Sequence, residues 1–488
     1  MKWAFTIAVV CFTVIAKAQL YDAQWALGDS ESVVDFRLPD TVKTYAIPAF
    51  QHFFLTNASI CDSAGNLLFY TNGISICGIN GPILNGDNIS PCAFTTSWAC
   101  CGLDIPQAAL FIPKPGSDRY YYLFHFSDDD SVTGRPATLY YSEIDREANN
   151  GQGGVLAKNQ AILTHKVLHD GGMTACKHAN GRDYWLVIGE STSNTYYKFL
   201  ITSGGVNGAI TQSIGPVIPA TDDVAYSKFS LDGSKYATGF YTGPTIVMDF
   251  DRCSGEFSDL DTIYNNASND PISYPIEGAG SVEFSPNGRF LYIDQPYVLN
   301  QFDLQANNIQ DSVVVYVADS TDPYRTHMFQ LAPNGKIYGS TWNGGLYAYH
   351  VINHPDLKGD SCGFVYGGQR VLTDNSYNVP NLINYRLGPL IGSGCDTLQT
   401  GIGIVNTADK LIRIQPNPAD KYVYVEIGRQ GNYEFELFNT NGQLIDRRET
   451  QQVDYFDTEH LPAGIYFLSV KDKTTNTEIA TKKVVVVH

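Results

Sequence analysis

The sequence of 488 residues has little methionine, a deficit of positive charge and no long apolar run. It contains 4 Met, and its 32 Lys and Arg stand against 50 Asp and Glu, giving a formal net charge of −18. A surface this acidic repels a phosphate backbone, which argues against nucleic acid and anionic membrane surfaces as partners. No apolar stretch reaches about 18 residues, so we expect no transmembrane segment.

Familiar catalytic and metal-binding signatures are also missing. The sequence has no G-x-S-x-G, no H-E-x-x-H, no Walker loop and no G-x-G-x-x-G after a strand. It has no C-x-x-C pair, and Cys100 and Cys101 are adjacent, so we expect no zinc site. The pair His169-Asp170 hints at catalysis, whereas His178 lies in a repeated turn and is interpreted as structural. Whether the protein is an enzyme stays open, with a non-enzymatic role favoured.

The N-terminus predicts export. Lys2 precedes an apolar run from Trp3 to Ala16, and Ala16-Lys17-Ala18 fits a small-x-small cleavage site. Cleavage between Ala18 and Gln19 would leave Gln19 first, whereas a lipoprotein would need Cys at that position. We therefore expect residues 1–18 to be a cleaved signal peptide.

Abundant Tyr, Phe and Gly indicate an all-β protein built from repeats. A tight turn followed by an apolar, tyrosine-rich strand recurs about every 50 residues, which is the size of a β-propeller blade. The turn glycines are Gly65, Gly116, Gly181, Gly233, Gly288 and Gly335. We predict a β-propeller over residues 19–394, with seven blades favoured over six or eight; a row of β-sandwiches is the alternative.

Closure of the propeller and pairing of its cysteines are two further expectations. The seventh blade is expected to form by pairing of the segment Trp25–Phe36 with strands between Phe364 and Leu387, which would remove exposed sheet edges. Export permits disulfides. Five cysteines between Cys61 and Cys101 are candidates for bridges, and Cys362 with Cys395 is another candidate pair.

Two groups of these segments resemble known propellers. FSPNG before RFLY and FSLDG before SKYA resemble the blade motif of seven-bladed propellers of the cytochrome-d1 and quinoprotein-like type. NLLFYTNGISI and CKHANGRDYWLVI resemble a Bacteroidetes family of secreted propellers, which often carry gliding-motility or sorting modules. The resemblance covers residues 23–390, and it implies a fold without implying an activity.

A second, smaller domain follows a linker over residues 395–410 that is rich in Gly, Ser and Thr. Residues 411–488 have the short strands and turns of a small immunoglobulin-like β-sandwich. Its motifs resemble the type A C-terminal sorting domain of the type IX secretion system. The residues that carry this resemblance are Pro416, Asn417, Pro418, Gly442, Gly464, Tyr466, Lys482 and Lys483.

The sorting resemblance implies a route and a partner. It implies passage through the outer membrane by the type IX secretion machinery, then cleavage of the domain, and attachment to surface lipopolysaccharide or release. The protein would reach the cell surface or the medium by way of the periplasm. An ordinary immunoglobulin-like module is the alternative.

Candidate ligand-binding residues lie in the loops. Asp128-Asp129-Asp130 and the acidic run at residues 249–261 make calcium the one candidate ion, although solvated acidic loops are the commoner explanation and no cofactor is expected. Aromatic residues such as Trp98, Tyr324 and Trp342 could line a glycan-binding face. We predict an exported binding module for an extracellular glycan or protein. The alternatives are a polysaccharide- or peptide-processing enzyme and an adhesin linked to gliding or biofilm.

Overall fold

The computed structural model describes residues 19–28, 32–38, 41–220, 224–241, 243–264, 280–295, 297–319, 321–343, 345–374, 377, 379–396, 412–428, 430–439, 443–474 and 477–487. The predicted signal peptide with Ala18, most of the predicted linker, and Gly442 lie outside these residues. The chain divides into two compact units, Met1–Leu398 and Gln399–His488. Among the helices of the described part, none has the length and apolar character needed to cross a membrane.

The described part of the first unit contains seven β-sheets in chain order. Sheets one to three consist of β1 (Gln24–Leu27), β2 (Ser32–Leu38) and β3 (Thr41–Ala46); β4 (Ala58–Cys61), β5 (Leu67–Thr71), β6 (Ile76–Gly78) and β7 (Gly81–Pro82); and β8 (Ala109–Pro113), β9 (Tyr120–His125), β10 (Thr138–Asp145) and β11 (Gly154–Thr164). The short helices α1 (Ala93–Ser97) and α2 (Ala148–Gly151) lie in connections.

Sheets four to seven continue the same plan. Sheet five also includes β12 (Asp170–Gly171), which pairs in parallel with its first long strand. The strands are β13 (Thr174–Lys177), β14 (Tyr184–Gly189), β15 (Thr195–Thr202), β16 (Gly205–Val206) and β17 (Ile210–Ser213); β18 (Val224–Phe229), β19 (Lys235–Phe240), β20 (Thr245–Phe250) and β21 (Phe257–Ile263); β22 (Ser281–Phe284), β23 (Phe290–Gln295), β24 (Val298–Asp303) and β25 (Ser312–Val317); and β26 (Thr326–Leu331), β27 (Ile337–Thr341), β28 (Ala348–Ile352) and β29 (Phe364–Arg370).

The six repeat glycines occupy equivalent places. Each lies in the turn between the first and second long strands of sheets two to seven, and each has a positive φ between 69° and 88°. L-residues with a Cβ rarely adopt this conformation, so glycine at these positions permits the tight turn. The repeated sequence pattern therefore corresponds to one repeated hairpin.

The first long strands of the sheets lie side by side and form the interior of the unit. β1 contacts β4, β4 contacts β8, β13 contacts β18, β18 contacts β22, and β22 contacts β26. These strands are almost wholly buried, whereas outer strands such as β3 and β29 are largely exposed or half-buried. Because both faces are buried, the polar side chains on these strands, such as Lys228 on β18 and Glu283 on β22, need partners inside the unit. The arrangement is propeller-like.

Closure between the last and first sheets differs from the prediction. The segment Trp25–Phe36 pairs within its own sheet, and the segment Phe364–Arg370 pairs with β28. The predicted pairing of the two chain ends in one sheet is therefore wrong. The reason is that residues 41–46 supply the third strand of sheet one. Sheets seven and one meet instead through side chains, with the Trp25 and Tyr338 rings 5.9 Å apart.

Residues 379–390, here called the central segment, run between the first strands of several sheets. Asn381 is 2% exposed. Its backbone N–H donates to the Asn57 carbonyl at 2.7 Å. Its side-chain Nδ2 donates to the carbonyls of Ala109 at 3.1 Å and Met173 at 3.0 Å. These partners lie in or next to β4, β8 and β13, so a single residue joins three sheets through its backbone and its side chain.

Apolar side chains hold the central segment in the same core as the sheets. Tyr385 is fully buried, and its hydroxyl donates to the carbonyl of Phe111 at 2.8 Å. Arg386 forms an ion pair with Asp22 at 2.8 Å. The core members from this segment are Val379, Leu382, Ile383 and Tyr385. The space between the first strands is therefore filled by the chain itself.

The cysteine pairing also differs from the expected one. Cys395 bonds to Cys253, whereas Cys362 is buried and free. The proposed Cys362–Cys395 bridge is therefore wrong. In the cluster between Cys61 and Cys101, the bridge that forms joins the adjacent residues Cys100 and Cys101. The Cys253–Cys395 bond ties the chain after the central segment to the turn between β20 and β21.

The second unit consists of two facing sheets around their own core. One contains β30 (Ile412–Gln415), β31 (Tyr422–Ile427) and β34 (Val453–Asp457), and the other contains β32 (Tyr433–Asn439), β33 (Leu444–Thr450), β35 (Gly464–Asp472) and β36 (Thr477–Val486). Strand β31 alternates between outward Tyr422 and Tyr424 and inward Val423 and Val425. This alternation is typical of a strand with one buried face.

Candidate functional site

A cavity of about 340 Å³ opens in the first unit where the chain enters the first long strands. We call it the mouth cavity. Its lining comes from segments before these strands, from turns after β19 and β27, and from Tyr377 just before the central segment. The residues are Phe54, Leu55, Asp104, Pro106, Asp170, Val224, Ala225, Tyr226, Tyr241, Gly280, His327, Met328, Trp342 and Tyr377.

Partly exposed aromatic rings form a continuous row along the mouth cavity. Phe54 stacks on Trp98 with ring centres 5.3 Å apart, and it also meets Tyr377 edge-on at 5.3 Å. Tyr377 meets Trp342 at 5.5 Å, and Trp342 stacks on Tyr241 at 6.4 Å. Five separate connections of the chain contribute to this row. It gives the cavity a broad apolar wall.

Arg325 supports one end of the row. Its guanidinium lies 4.7 Å from the centre of the Trp342 ring and 4.4 Å from that of Tyr297. Cation–π contacts of this kind hold a ring in place as well as the cation. Arg325 therefore helps to hold the Trp342 ring in place before any ligand binds.

The other wall of the cavity is acidic. Asp104 makes no hydrogen bond or ion pair with any described residue, and burial raises the pKa of its carboxyl. Asp170 Oδ2 lies 3.6 Å from Arg135 Nη1. Asp128 stands beside Asp170, and its Oδ1 is buried without a hydrogen bond in the described part. Burial, and then the charge of Asp170, raise the pKa of Asp128 to about 8.

A buried histidine lies against the aromatic row. His327 is 6% exposed, and its ring is 4.9 Å from Trp342 and 5.2 Å from Tyr377. Its Nδ1 is 3.9 Å from Asp294 Oδ2, and neither ring nitrogen has a hydrogen bond within the described chain. Burial lowers the pKa of His327 to about 3, so the imidazole is neutral at physiological pH. It offers the cavity one donor and one acceptor nitrogen.

Some predicted residues meet here and others do not. Trp98 and Trp342 both belong to the aromatic row, whereas the carbonyl of Tyr324 accepts from His350 Nε2 at 3.2 Å in the last sheet. Asp170 lines the cavity, but its neighbour His169 is buried against Phe240, with ring centres 5.0 Å apart. The two residues therefore do not act as a His-Asp pair in one site.

His178 and the acidic loops have local roles in the structure. His178 Nε2 contacts the carbonyl of Cys253 at 3.1 Å, inside a turn. Asp129 accepts the backbone N–H of Ala137, and Asp130 accepts the hydroxyl of Thr133. Among the described residues, no group of three or more His, Cys, Asp or Glu side chains is placed to hold a metal ion. Calcium stays a prediction.

Most residues of the cavity carry no recognisable signal in the sequence. Phe54, Asp104, His327 and Tyr377 follow no local motif. Three of them, Phe54, Asp104 and His327, precede or begin the first strand of a sheet. Because these strand starts converge in a propeller-like arrangement, loop residues that are distant in sequence become neighbours. The shared position could have grouped these three once the repeats were aligned, but Tyr377 could not be found in this way.

The second unit places its motif residues at one end of the sheets. Asn417 Nδ2 donates to the carbonyl of Lys483 at 2.8 Å, and Asn417 Oδ1 accepts the N–H of Val485 at 2.8 Å. The Tyr466 hydroxyl donates to the carbonyl of Pro462 at 2.8 Å. Pro416 and Pro418 follow cis peptide bonds. The start of the unit is thus tied to its last strand, in which Lys482 pairs with Leu468 on β35, the strand that begins at Gly464.

These features define an exported all-β protein with a propeller-like first unit. Residues 413–487 match the family model described as the secretion system C-terminal sorting domain. The domain directs the protein through the type IX secretion machinery, so the protein is secreted or displayed at the cell surface. The comparison with curated proteins gives no significant match.

Similar solved structures cover the first unit at low identity. A protein from Lactobacillus plantarum is 12% identical over 73% of this chain and 96% of its own, with a TM-score of 0.41. A putative 6-phosphogluconolactonase from Bacteroides uniformis is 14% identical over 72% and 89%, with a TM-score of 0.34. The periplasmic gluconolactonase of Pseudomonas aeruginosa is 12% identical over 75% and 96%, with a TM-score of 0.34. None of these likenesses is close enough to transfer an activity.

Proposed function

We propose that the protein is an exported binding module, in which the seven sheets are the blades of a closed propeller and the mouth cavity takes a sugar ring. The observation that carries the proposal is the pairing of an aromatic wall with polar groups that have no partner in the described part of the chain. Sugar rings present apolar C–H faces and hydroxyl edges. Trp342 and Tyr377 suit the faces, while Asp104 and His327 suit the hydroxyls.

The size and position of the cavity support a small ligand. Ligand sites usually measure about 300–1,000 Å³ and combine apolar walls with a few fixed polar groups. A sugar at the end of a longer glycan fits this geometry.

We expect the Trp342→Ala variant to lose glycan binding. The variant removes the ring shared by Tyr377, Tyr241 and Arg325, so the expected loss of affinity is about tenfold or more, as for a central aromatic contact. The measurement is a glycan array of bacterial, plant and animal sugars, followed by titration calorimetry with the best ligand. The control is Tyr264→Ala, since Tyr264 is 63% exposed and away from the cavity. Equal loss in both variants would contradict the proposal.

Export gives a separate expectation. In a native host, we expect mature protein from the surface and the medium to begin at Gln19 and to end in the linker before Leu411. This proposal includes a cleaved signal peptide at residues 1–18 and an immunoglobulin-like fold for the second unit. Intact-mass and peptide mass spectrometry of cell-surface, medium and periplasmic fractions would measure it. Full-length protein confined to the periplasm would count against both cleavages.

A second function has a specific observation in its favour. Asp128 has a raised pKa, whereas Asp170 is held beside the guanidinium of Arg135. A protonated carboxyl near an ionised one is the arrangement used for general acid–base cleavage of glycosides. Release of reducing ends from the best array ligand, abolished in Asp128→Asn, would make the protein a glycoside-processing enzyme. Binding without turnover supports the binding module.

A further inference from the structure

Asp104 lines the mouth cavity without a hydrogen bond or ion pair to any described residue. Asp170 lines the same cavity beside Arg135, whereas the neighbouring Asp128 has a pKa raised to about 8 and holds its proton near neutral pH. The Arg135 group is 3.6 Å from Asp170, and the Arg325 group lies against the rings of Tyr297 and Trp342. Asp104 and Asp128 have no ion-pair partner within the described residues. In the part of the chain that the structure describes, the charge of Asp104 is therefore left for a cation on the ligand.

The aromatic row strengthens the preference for a cation. Trp and Tyr rings attract an ammonium group placed over their faces or next to them, and the attraction grows when water is excluded. Here the rings of Trp342 and Tyr377 stand in the same cavity as the carboxylate of Asp104. A neutral hydroxyl would donate a hydrogen bond to this carboxylate, whereas an ammonium group would donate a hydrogen bond and also form an ion pair with it.

We propose that the ligand of the mouth cavity is an amino sugar with a free ammonium group, which pairs with Asp104 and its neighbouring carboxylates. This inference rests on the proposed function, because it assumes that the cavity binds a sugar. It adds the chemical class of that sugar. The aromatic row accepts the ring, and the acidic wall selects the amine over a hydroxyl or an acetamide.

Three tetrasaccharides with one backbone test the inference. β-1,4-linked tetraglucosamine, its fully N-acetylated form and cellotetraose differ only at carbon 2 of each ring. In titration calorimetry with the full-length protein, we expect tetraglucosamine to bind about tenfold or more tightly than the other two, as for a charge-assisted contact in a partly desolvated site. A short lysine peptide, with an acetylated N-terminus and a free side-chain ammonium group, serves as a fourth probe.

The Asp104→Asn variant tests the residue. Since Asp104 has no partner in the described chain, the variant is expected to fold, and circular dichroism checks this. We expect it to reduce the affinity for tetraglucosamine about tenfold while leaving cellotetraose unchanged. The matched control is Asp118→Asn, which removes the same charge from an exposed turn between β8 and β9.

Proton release gives a readout that a merely structural role would not produce. Asp128 is faced by Asp170, Arg135, Asp129 and Asp104. An ammonium group bound there favours ionised Asp128, so binding at about pH 7 should release up to about one proton. Calorimetry in buffers with different ionisation enthalpies measures this release. Cellotetraose should release none.

The outcomes separate this inference from the proposed function. Equal binding of all three sugars, lost in Trp342→Ala, would overturn the amine preference and leave the sugar site standing. Binding of the lysine peptide but of no sugar would overturn the sugar class. If tetraglucosamine binds and Trp342→Ala has no effect, the ligand lies elsewhere and both proposals fall.

Discussion

The Asn381→Asp variant is expected to lose about 4 kcal/mol of the first unit's free energy of unfolding at about pH 8. The Asn381 amide donates to the carbonyls of Ala109 and Met173, and its Oδ1 accepts from Gln107 Nε2 at 3.1 Å. A carboxylate of nearly the same shape has no N–H to donate. It would place negative charge against two carbonyl oxygens in a site that is 2% exposed.

Urea unfolding followed by tryptophan fluorescence measures this effect. All Trp residues lie at positions 3, 25, 98, 185 and 342, so the signal reports on the first unit. The loss should shrink at about pH 5, because the buried Asp then takes up a proton and can donate one hydrogen bond. Asn207→Asp, at an exposed position in the same unit, is the matched control and should change stability by less than about 0.5 kcal/mol. An unchanged unfolding midpoint in Asn381→Asp would contradict the position of the central segment.

The Lys228→Met variant is expected to be destabilised by about 3–5 kcal/mol, because it removes one partner of a buried ion pair. Lys228 Nζ lies 3.9 Å from Glu283 Oε2, and both side chains are 4% exposed. Lys228 also donates to Gln330 Oε1. Without the cation, the Glu283 carboxylate keeps only the backbone N–H groups of Phe284 and Leu331.

The pH dependence follows from the sign of the shift. Burial raises the pKa of Glu283. Removal of Lys228 raises it further, so the folded variant holds a proton that the unfolded chain releases as the pH rises. The loss of unfolding free energy in Lys228→Met should therefore grow between about pH 5 and pH 8. In Lys228→Met/Glu283→Gln most of the loss should be recovered, since no uncompensated charge remains.

A neighbouring lysine provides the comparison for Lys228. Lys235, on β19, pairs with Asp249 at 2.5 Å, and these side chains are 34% and 44% exposed. Exposed pairs contribute about 0–1 kcal/mol, so Lys235→Met should be nearly neutral. If Lys228→Met lowers the free energy of unfolding no more than Lys235→Met does, then the Lys228–Glu283 pair is not buried between β18 and β22.

The sequence predicted the repeated hairpins well because their information is local. A glycine with positive φ and the apolar strand after it are adjacent in the chain, so Gly233 and Gly288 could be recognised without tertiary structure. The sorting domain was recognised for the same reason, and residues 413–487 match its family model.

The closure of the sheets and the mouth cavity could not be predicted, because both depend on contacts between residues that are far apart in the sequence. Nothing local distinguishes residues 379–390 from an outer strand, and only the packing of Asn381 and Tyr385 shows that they lie between the sheets. The mouth cavity has the same origin. Asp104, His327 and Tyr377 are far apart in sequence and meet only after the unit has folded.

The bond between Cys253 and Cys395 has a consequence for the use of this protein as a scaffold. It fixes the chain beyond the central segment, at a sequence separation of 142 residues. A foreign passenger protein fused after Arg370 would take the place of residues 379–390, which pack between the sheets. The first unit should then misfold. One joined after Asp396 would leave that packing whole. The position of the Cys253–Cys395 disulfide, and not the end of the seventh sheet, therefore determines where a passenger should be fused for display at the cell surface.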